Sequence, residues 1–289
     1  MSESITTYGL IGFPVEHSLS PVMHNTAFRA LDVQAEYKLF PLRPEEVEPF
    51  VRELKREDSP IFGVNVTVPY KETVIPFLDA LSPLAKKIGA VNTIVRDDEN
   101  HKLIGHNTDG PGFLAHLAEL NVAFAGKQVA VLGAGGASRA LISVLCLGEI
   151  KPAAIHVYDI DWEKSEALLR DLGGRFDVGR VQVAQSIDDL HIDEAGLLVN
   201  ATPLGLKSDD PVLVDDSLLH PGLFVYDLIY NPAETPLLKM ARKNGCRVSN
   251  GLGMLLYQGI LAFQHWAKTE LSETVKTQMR MSLEIGETI

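Results

Sequence analysis

Cysteine is nearly missing from this chain. Cys146 and Cys246 are the only two in 289 residues, far apart and outside any CxxC. That argues against a disulfide framework or a thiolate zinc site, and two buried thiols in a reducing cytosol are expected. Positive charge is also short. Lys and Arg total 26 against 38 Asp and Glu, a net charge of −12. Non-specific attraction to nucleic acid or to an anionic membrane is therefore not expected. No uncharged apolar stretch reaches the length of a membrane span. The opening MSESITTYGLIG has no basic segment ahead of an apolar run, so no signal peptide is expected and the location should be cytoplasmic. Two sequons, at Asn65 and Asn200, carry no weight in that setting. No GxSxG elbow follows a strand, which removes a Ser-His-Asp hydrolase. His17 with His24, or His101 with His106, do not give convincing metal spacing, so no metal is expected.

What remains is an ordinary globular composition, long enough for one large domain or two medium ones. Strands are expected at 8–13, 36–40 and 63–68, with helices at 21–31 and 44–55. Ser20-Pro21 reads as an N-cap with proline at the first helical position. In 63–68, Val64, Val66 and Val68 should face one way and Asn65 and Thr67 the other. A helix interrupted by Pro76 is expected over 72–81, then a hairpin of 90–96 with 102–105. From about Asp109 the pattern changes. A helix at 111–120 precedes a buried strand at 128–132, a glycine loop and a helix to 147. Strands at 154–158, 180–184, 196–201 and 223–228 then alternate with helices, the signature of a parallel doubly wound sheet. Helices at 253–267 and 272–285 close the chain. The fold class is α/β in two domains, with ligands expected in the cleft between them.

Three stretches carry chemistry. Gly133-Ala134-Gly135-Gly136-Ala137-Ser138 follows a strand and opens a helix. Gly133 permits the tight turn, Gly135 lets backbone approach a pyrophosphate, and the helix N-terminus favours its charge. Asp159 ends the next strand, where an acid accepts from ribose hydroxyls and repels a 2′-phosphate. Lys71, past Pro69 and the polar Asn65/Thr67 face, sits where α/β sheets place ligands, and Asp109 lies in a polar turn, His106-Asn107-Thr108-Asp109-Gly110. Asn92 interrupts an apolar strand, and Gln258 interrupts an apolar helix face. Both amides need partners, from the protein or from a ligand. Ser18 and Ser20 point the same way if the chain before Pro21 is extended. A lysine, an aspartate and a phosphate cradle together suggest nicotinamide-dependent reduction of a polar carbonyl compound.

Taken in order, HSLSP, NVTVPYK, GAVNT, GHNTDG, GAGGAS, NATPLG, DLIYNPAETPLL and NGLGMLLYQ resemble the motifs of the shikimate dehydrogenase family over nearly the whole chain. The resemblance implies an N-terminal α/β substrate domain (1–108 plus 252–289), a Rossmann cofactor domain (109–251), and C-terminal helices returning to the first. It implies reversible reduction of 3-dehydroshikimate to shikimate, in aromatic amino-acid biosynthesis. By motif, substrate contacts would be Ser18, Ser20, Thr67, Lys71, Asn92, Asp109, Tyr230 and Gln258, with Lys71 and Asp109 catalytic. Gly133, Ala134, Gly135, Gly136, Ala137, Thr202, Leu228 and Gly251 would touch NAD(P). NADP-using members carry an Asn-Arg-Thr-like turn where this chain has Tyr158-Asp159-Ile160-Asp161, so NAD is expected to be preferred over NADP. A quinate or dual quinate/shikimate dehydrogenase, and a non-catalytic dinucleotide sensor, stay open as alternatives. The partners expected are small molecules, for a monomer or homodimer.

Overall fold

The computed structural model describes residues 5–207 and 209–286. The chain divides into two units. One takes in the chain up to Gly112 and again from Leu255; the other is Phe113–Met254. The division falls inside two helices, a few residues past the boundaries expected at 108/109 and 251/252.

The split unit contains β1 (Thr6–Gly12), α1 (Ser20–Ala30), β2 (Ala35–Pro41), α2 (Pro44–Glu53), β3 (Ile61–Val66), β4 (Ala80–Leu81), α3 (Pro83–Ile88), β5 (Thr93–Arg96) and β6 (Leu103–His106). Its sheet runs β2-β1-β3-β5-β6-β4. β1 is parallel to β2 and β3, while β5 is antiparallel to β3 and β6. At the start of helix α2, Glu46 Oε2 accepts from the Arg43 N–H at 2.7 Å, with Pro44 following. Its Val47 and Val51, with Leu54 beyond its end, fall on one face and pack with Val64, Val66, Tyr70 and Ile94.

Helix α4 (Asp109–Glu119) begins in this unit and ends in the other. The continuous unit then has β7 (Gln128–Leu132), α5 (Gly136–Leu147), β8 (Ala154–Tyr158), α6 (Trp162–Gly173), β9 (Val181–Val183), β10 (Ala195–Asn200), β11 (Phe224–Asp227), α7 (Pro236–Lys243) and β12 (Arg247–Ser249). All its strands are parallel, in the order β12-β11-β10-β7-β8-β9. This is the doubly wound order, and the chain reverses direction between β7 and β10, the switch point where such sheets bind ligands. Helix α8 (Leu252–Ala267) leads back into the split unit, and α9 (Glu273–Gly286) packs on α1.

Three expectations need correction. Residues 72–81 do not form a helix. Pro76 removes a donor, and only a short 3-10 turn at Ile75–Phe77 forms. Ala80 and Leu81 instead pair with β6, and the helix comes later, at α3, where Ser82 caps Ala85 N–H and Pro83 follows. Ser20 is not the N-cap of α1. Leu19 holds that place, and Ser20 is the first helical residue. Val68 does not join Val64 and Val66 in the core. Strand β3 ends at Val66, and Val68 is 66% exposed.

His24, on α1, is fully buried, and neither ring nitrogen has a partner among the described residues. It stacks on Tyr37 and packs near Phe263 and Trp266. Burial pushes its pKa down to about 3 from the ordinary 6.5. The folded form therefore keeps it neutral, while the unfolded chain takes up a proton below about pH 6.5. Stability from this group is fully present above that pH and is lost as pH falls toward 3, by about 1.4 kcal/mol per pH unit. His24→Phe keeps the stack and does not titrate. Its melting temperature should match wild type near pH 8 and exceed it at pH 5. Parallel melting curves at both pH values would refute this.

Candidate active site

Lys71 lies just beyond β3, and Asp109 opens α4. Lys71 Nζ donates to Asp109 Oδ2 at 2.6 Å, and the two side chains are only 14% and 8% exposed. The other carboxylate oxygen, Oδ1, accepts from Asn92 Nδ2 at 2.8 Å. The same amide nitrogen reaches Thr108 Oγ1 at 2.9 Å and Gln258 Oε1 at 3.3 Å. Asn92 Oδ1 accepts from the Thr108 N–H at 2.7 Å. Every polar atom of this buried amide is thus engaged, which fixes Asp109 and, through it, the ammonium group. Gln258 donates through Nε2 to Leu255 O at 2.8 Å, so its oxygen is the end turned toward Asn92. The first turn of α4 and α8 approach closely because residue 112 is glycine. A Cβ there would lie 2.7 Å from Gln258 N.

Two further polar groups lie in the same unit, the Ser18–Ser20 pair and Tyr37 with Asn65. Ser18 Oγ donates to Ser20 Oγ at 3.1 Å and accepts the Ser20 N–H at 3.2 Å. The Tyr37 hydroxyl donates to Asn65 Oδ1 at 2.8 Å. Asn65 Nδ2 in turn donates to Asn92 O at 3.1 Å and Thr93 Oγ1 at 3.0 Å. The structure thus links Asn92, Lys71, Asp109 and Gln258 in one network, while Ser18 and Ser20 bond to each other. Tyr37, Asn65, Thr93 and Thr108 belong to it and were not among the expected site residues. Asn65 had a signal, since it shares the polar face of its strand. Tyr37 had none. Thr67 follows β3, half-buried, its N–H bonded to Ile11 O at 2.9 Å.

In the continuous unit, Gly133 follows β7 with φ of +96°, the left-handed region that favours glycine. A Cβ there would also press on Ala201 O at 3.0 Å. At Gly135, by contrast, a Cβ would meet no described atom within 4 Å. The backbone is bare toward open space at the N-terminus of α5, which fits a dinucleotide phosphate laid along Gly133, Ala134, Gly135, Gly136 and Ala137. Asp159 Oδ2 accepts from the Ala134 N–H at 2.9 Å and Oδ1 from the Asp161 N–H at 3.0 Å. The carboxylate is thereby held beside the loop, with lone pairs left for a ribose. Thr202 Oγ1 donates to Asn200 Oδ1 at 2.7 Å, and the Leu228 N–H bonds Asn200 O at 2.9 Å. Gly251 packs against the Leu228 carbonyl, with no room for a Cβ. Tyr230 lies in the same loop as Leu228, after β11, half-buried. Among the described residues, no group of three or more His, Cys, Asp or Glu is arranged to hold a metal, and no helix is long and apolar enough to cross a membrane.

A doubly wound sheet with a glycine loop at its switch point, in one chain with a separate lysine–aspartate site, defines a two-unit α/β oxidoreductase that takes a dinucleotide. The family model described as shikimate dehydrogenase substrate binding domain matches residues 10–94. Shikimate dehydrogenase (NADP(+)) of Geobacillus kaustophilus is 43% identical over 263 residues, covering 90% of this chain and 91% of that protein. The crystal structure of shikimate dehydrogenase from Aquifex aeolicus superposes with a TM-score of 0.86 at 38% identity, over 96% of this chain and 98% of that one. Shikimate 5-dehydrogenase from Listeria monocytogenes, in complex with shikimate and NAD, gives 0.83 at 34% identity, over 96% and 98%. The chain belongs to the shikimate dehydrogenase family.

Proposed function

We propose that this protein reversibly reduces 3-dehydroshikimate to shikimate with a nicotinamide dinucleotide, and that it prefers NAD to NADP. The observation that carries the reaction is the buried Lys71–Asp109 pair, its far carboxylate oxygen held by Asn92. The dinucleotide, when bound, supplies the hydride. Lys71 faces the ketone oxygen, stabilises the negative charge that grows there, and gives it a proton. Asp109 holds the ammonium and accepts from a neighbouring ring hydroxyl. Asn92, Thr67, Tyr230 and Gln258 suit the remaining hydroxyls, and Ser18 with Ser20 suit the carboxylate. The ligands are small molecules, the protein acts as a monomer or homodimer, and the setting is the cytoplasm.

The cofactor preference rests on Asp159. A 2′-phosphate beside it meets like charge. The residues that follow are Ile160, Asp161, Trp162 and Glu163, with Lys164 the first cation. Wild type should therefore oxidise shikimate with a kcat/KM at least about tenfold higher for NAD than for NADP, a difference of about 1.4 kcal/mol. Asp159→Asn should narrow that gap, chiefly through NAD affinity measured by calorimetry. Equal or better use of NADP by wild type would overturn the preference and leave the reaction standing. Turnover of quinate but not shikimate would overturn the substrate.

A further inference from the structure

Asp227, the last residue of β11, is fully buried, and three neutral donors hold its carboxylate. Oδ1 accepts from Asn200 Nδ2 at 3.0 Å and from the Ile229 N–H at 3.1 Å. Oδ2 accepts from Thr235 Oγ1 at 2.7 Å. The three donors come from separate points of the fold. Asn200 ends β10, Ile229 follows β11, and Thr235 caps α7. The direction of the Asn200 amide is fixed, because the Thr202 N–H donates to its Oδ1 at 3.1 Å and the nitrogen end must face Asp227. Asn200 carries the constraint onward. Its Oδ1 also accepts from Thr202 Oγ1 at 2.7 Å, its Nδ2 also donates to Leu204 O at 3.1 Å, and its backbone O accepts the Leu228 N–H at 2.9 Å. Both ends of this buried amide are thus engaged, and Asp227 supplies one of the acceptors it needs.

Strand order decides which half of a dinucleotide these loops face. The sheet is parallel, so the C-terminal ends of its strands share one edge. The glycine loop follows β7. Asp159 follows β8, the neighbour on one side, while Asn200 and Asp227 end β10 and β11, on the other. With the pyrophosphate on the glycine loop and the adenosine ribose at Asp159, the nicotinamide half extends over β10 and β11. We propose that Asp227 is a positioning residue for the nicotinamide half of the dinucleotide, holding Thr202 and Leu228 in place through Asn200. This rests on the reading above that those two residues touch the dinucleotide. Asp227 itself is too deeply buried to touch a ligand. Its two oxygens let the loops after β10 and β11 share one anchor, so they are ordered before the dinucleotide arrives.

The test is Asp227→Asn, read by calorimetry with two probes, NAD and 5′-AMP. The amide keeps the shape but turns a donor toward Thr235 Oγ1, which already accepts the Leu238 N–H at 3.3 Å. Kd for NAD should rise about tenfold, while Kd for AMP stays within about twofold and certifies that the unit is folded. Thr235→Val, which removes only the donor to Oδ2, should shift the same way by a smaller factor, and Thr235→Ser, which keeps the hydroxyl, should restore the wild-type Kd for NAD. Asp159→Asn should do the reverse of a nicotinamide-side change and weaken AMP as well as NAD. If Asp227→Asn and Thr235→Val weaken NAD and AMP alike, or neither, Asp227 is an ordinary core residue and the proposal falls. If Asp159→Asn leaves AMP binding unmoved, the placement of the dinucleotide on this sheet fails, and the proposal with it.

Discussion

Lys71→Ala is expected to lower kcat for shikimate oxidation by on the order of 10²-fold or more, with dinucleotide affinity unchanged. Two effects combine. Among the described residues the ammonium is the one cation bonded to Asp109, so its loss removes the charge that meets the developing alkoxide and the proton that neutralises it. It also leaves a largely buried carboxylate without its counter-charge, although Asn92 still holds the other oxygen. The second effect lowers stability, which is why kcat of folded enzyme is the quantity to measure. Single-turnover rates at saturating shikimate and dinucleotide separate chemistry from binding. A rate within a few-fold of wild type would remove Lys71 from the chemistry. Asp109→Asn should fall between the two, because an amide can still accept from Lys71 without offsetting its charge.

Gly251→Ala should be the most damaging single methyl in the continuous unit. A Cβ at 251 would sit on the Leu228 carbonyl group, 2.6 Å from its carbon, and both atoms involved are backbone. No rotamer change relieves such a contact, so one of the two loops has to move. Overpacking of this kind destabilises by about 1–3 kcal/mol. The Leu228 N–H is bonded to Asn200 O, and Asn200 Oδ1 accepts from Thr202, so the shift spreads through the loops proposed to touch the dinucleotide. Dinucleotide Kd should rise tenfold or more, while shikimate binding measured without dinucleotide stays near wild type. An unchanged dinucleotide Kd would show that these loops do not touch the cofactor.

Much of the fold is legible in the sequence where residues act locally. Strands β7 and β8 occupy the stretches that their apolar runs predict, since a buried parallel strand must be apolar on both faces. The glycine loop announces itself because φ and steric room demand particular residues. Where two local signals compete, the sequence misleads. Residues 72–81 have helical spacing, but Pro76 and the pairing of Ala80 with Ile104 win. Ser20-Pro21 has the chemistry of a cap, yet the helix starts one residue earlier and the serine hydroxyl accepts from Ser18 instead. The site divides the same way. Lys71, Asp109, Asn92 and Gln258 stand out as polar groups among apolar neighbours. Tyr37 does not, because a tyrosine in a strand is unremarked until its hydroxyl is seen reaching Asn65, 28 positions away.

The split of one unit across both ends of the chain has a consequence for synthesis. Phe113–Met254 is uninterrupted, and its core of β7, β10 and β11 can close as soon as it leaves the ribosome. The first 112 residues are made earlier but must wait. Tyr8, His24 and Phe28 take their aromatic cover from Phe263 and Trp266, and Trp266 Nε1 bonds Ile94 O at 3.1 Å only once α8 exists. Residues translated before the continuous unit are thus among the last to be buried. For most of translation the nascent chain carries an open aromatic face, the kind of surface that chaperones hold. A chain terminated before residue 255 would keep that face for good, with a complete dinucleotide fold and no shelter for the half it was meant to serve.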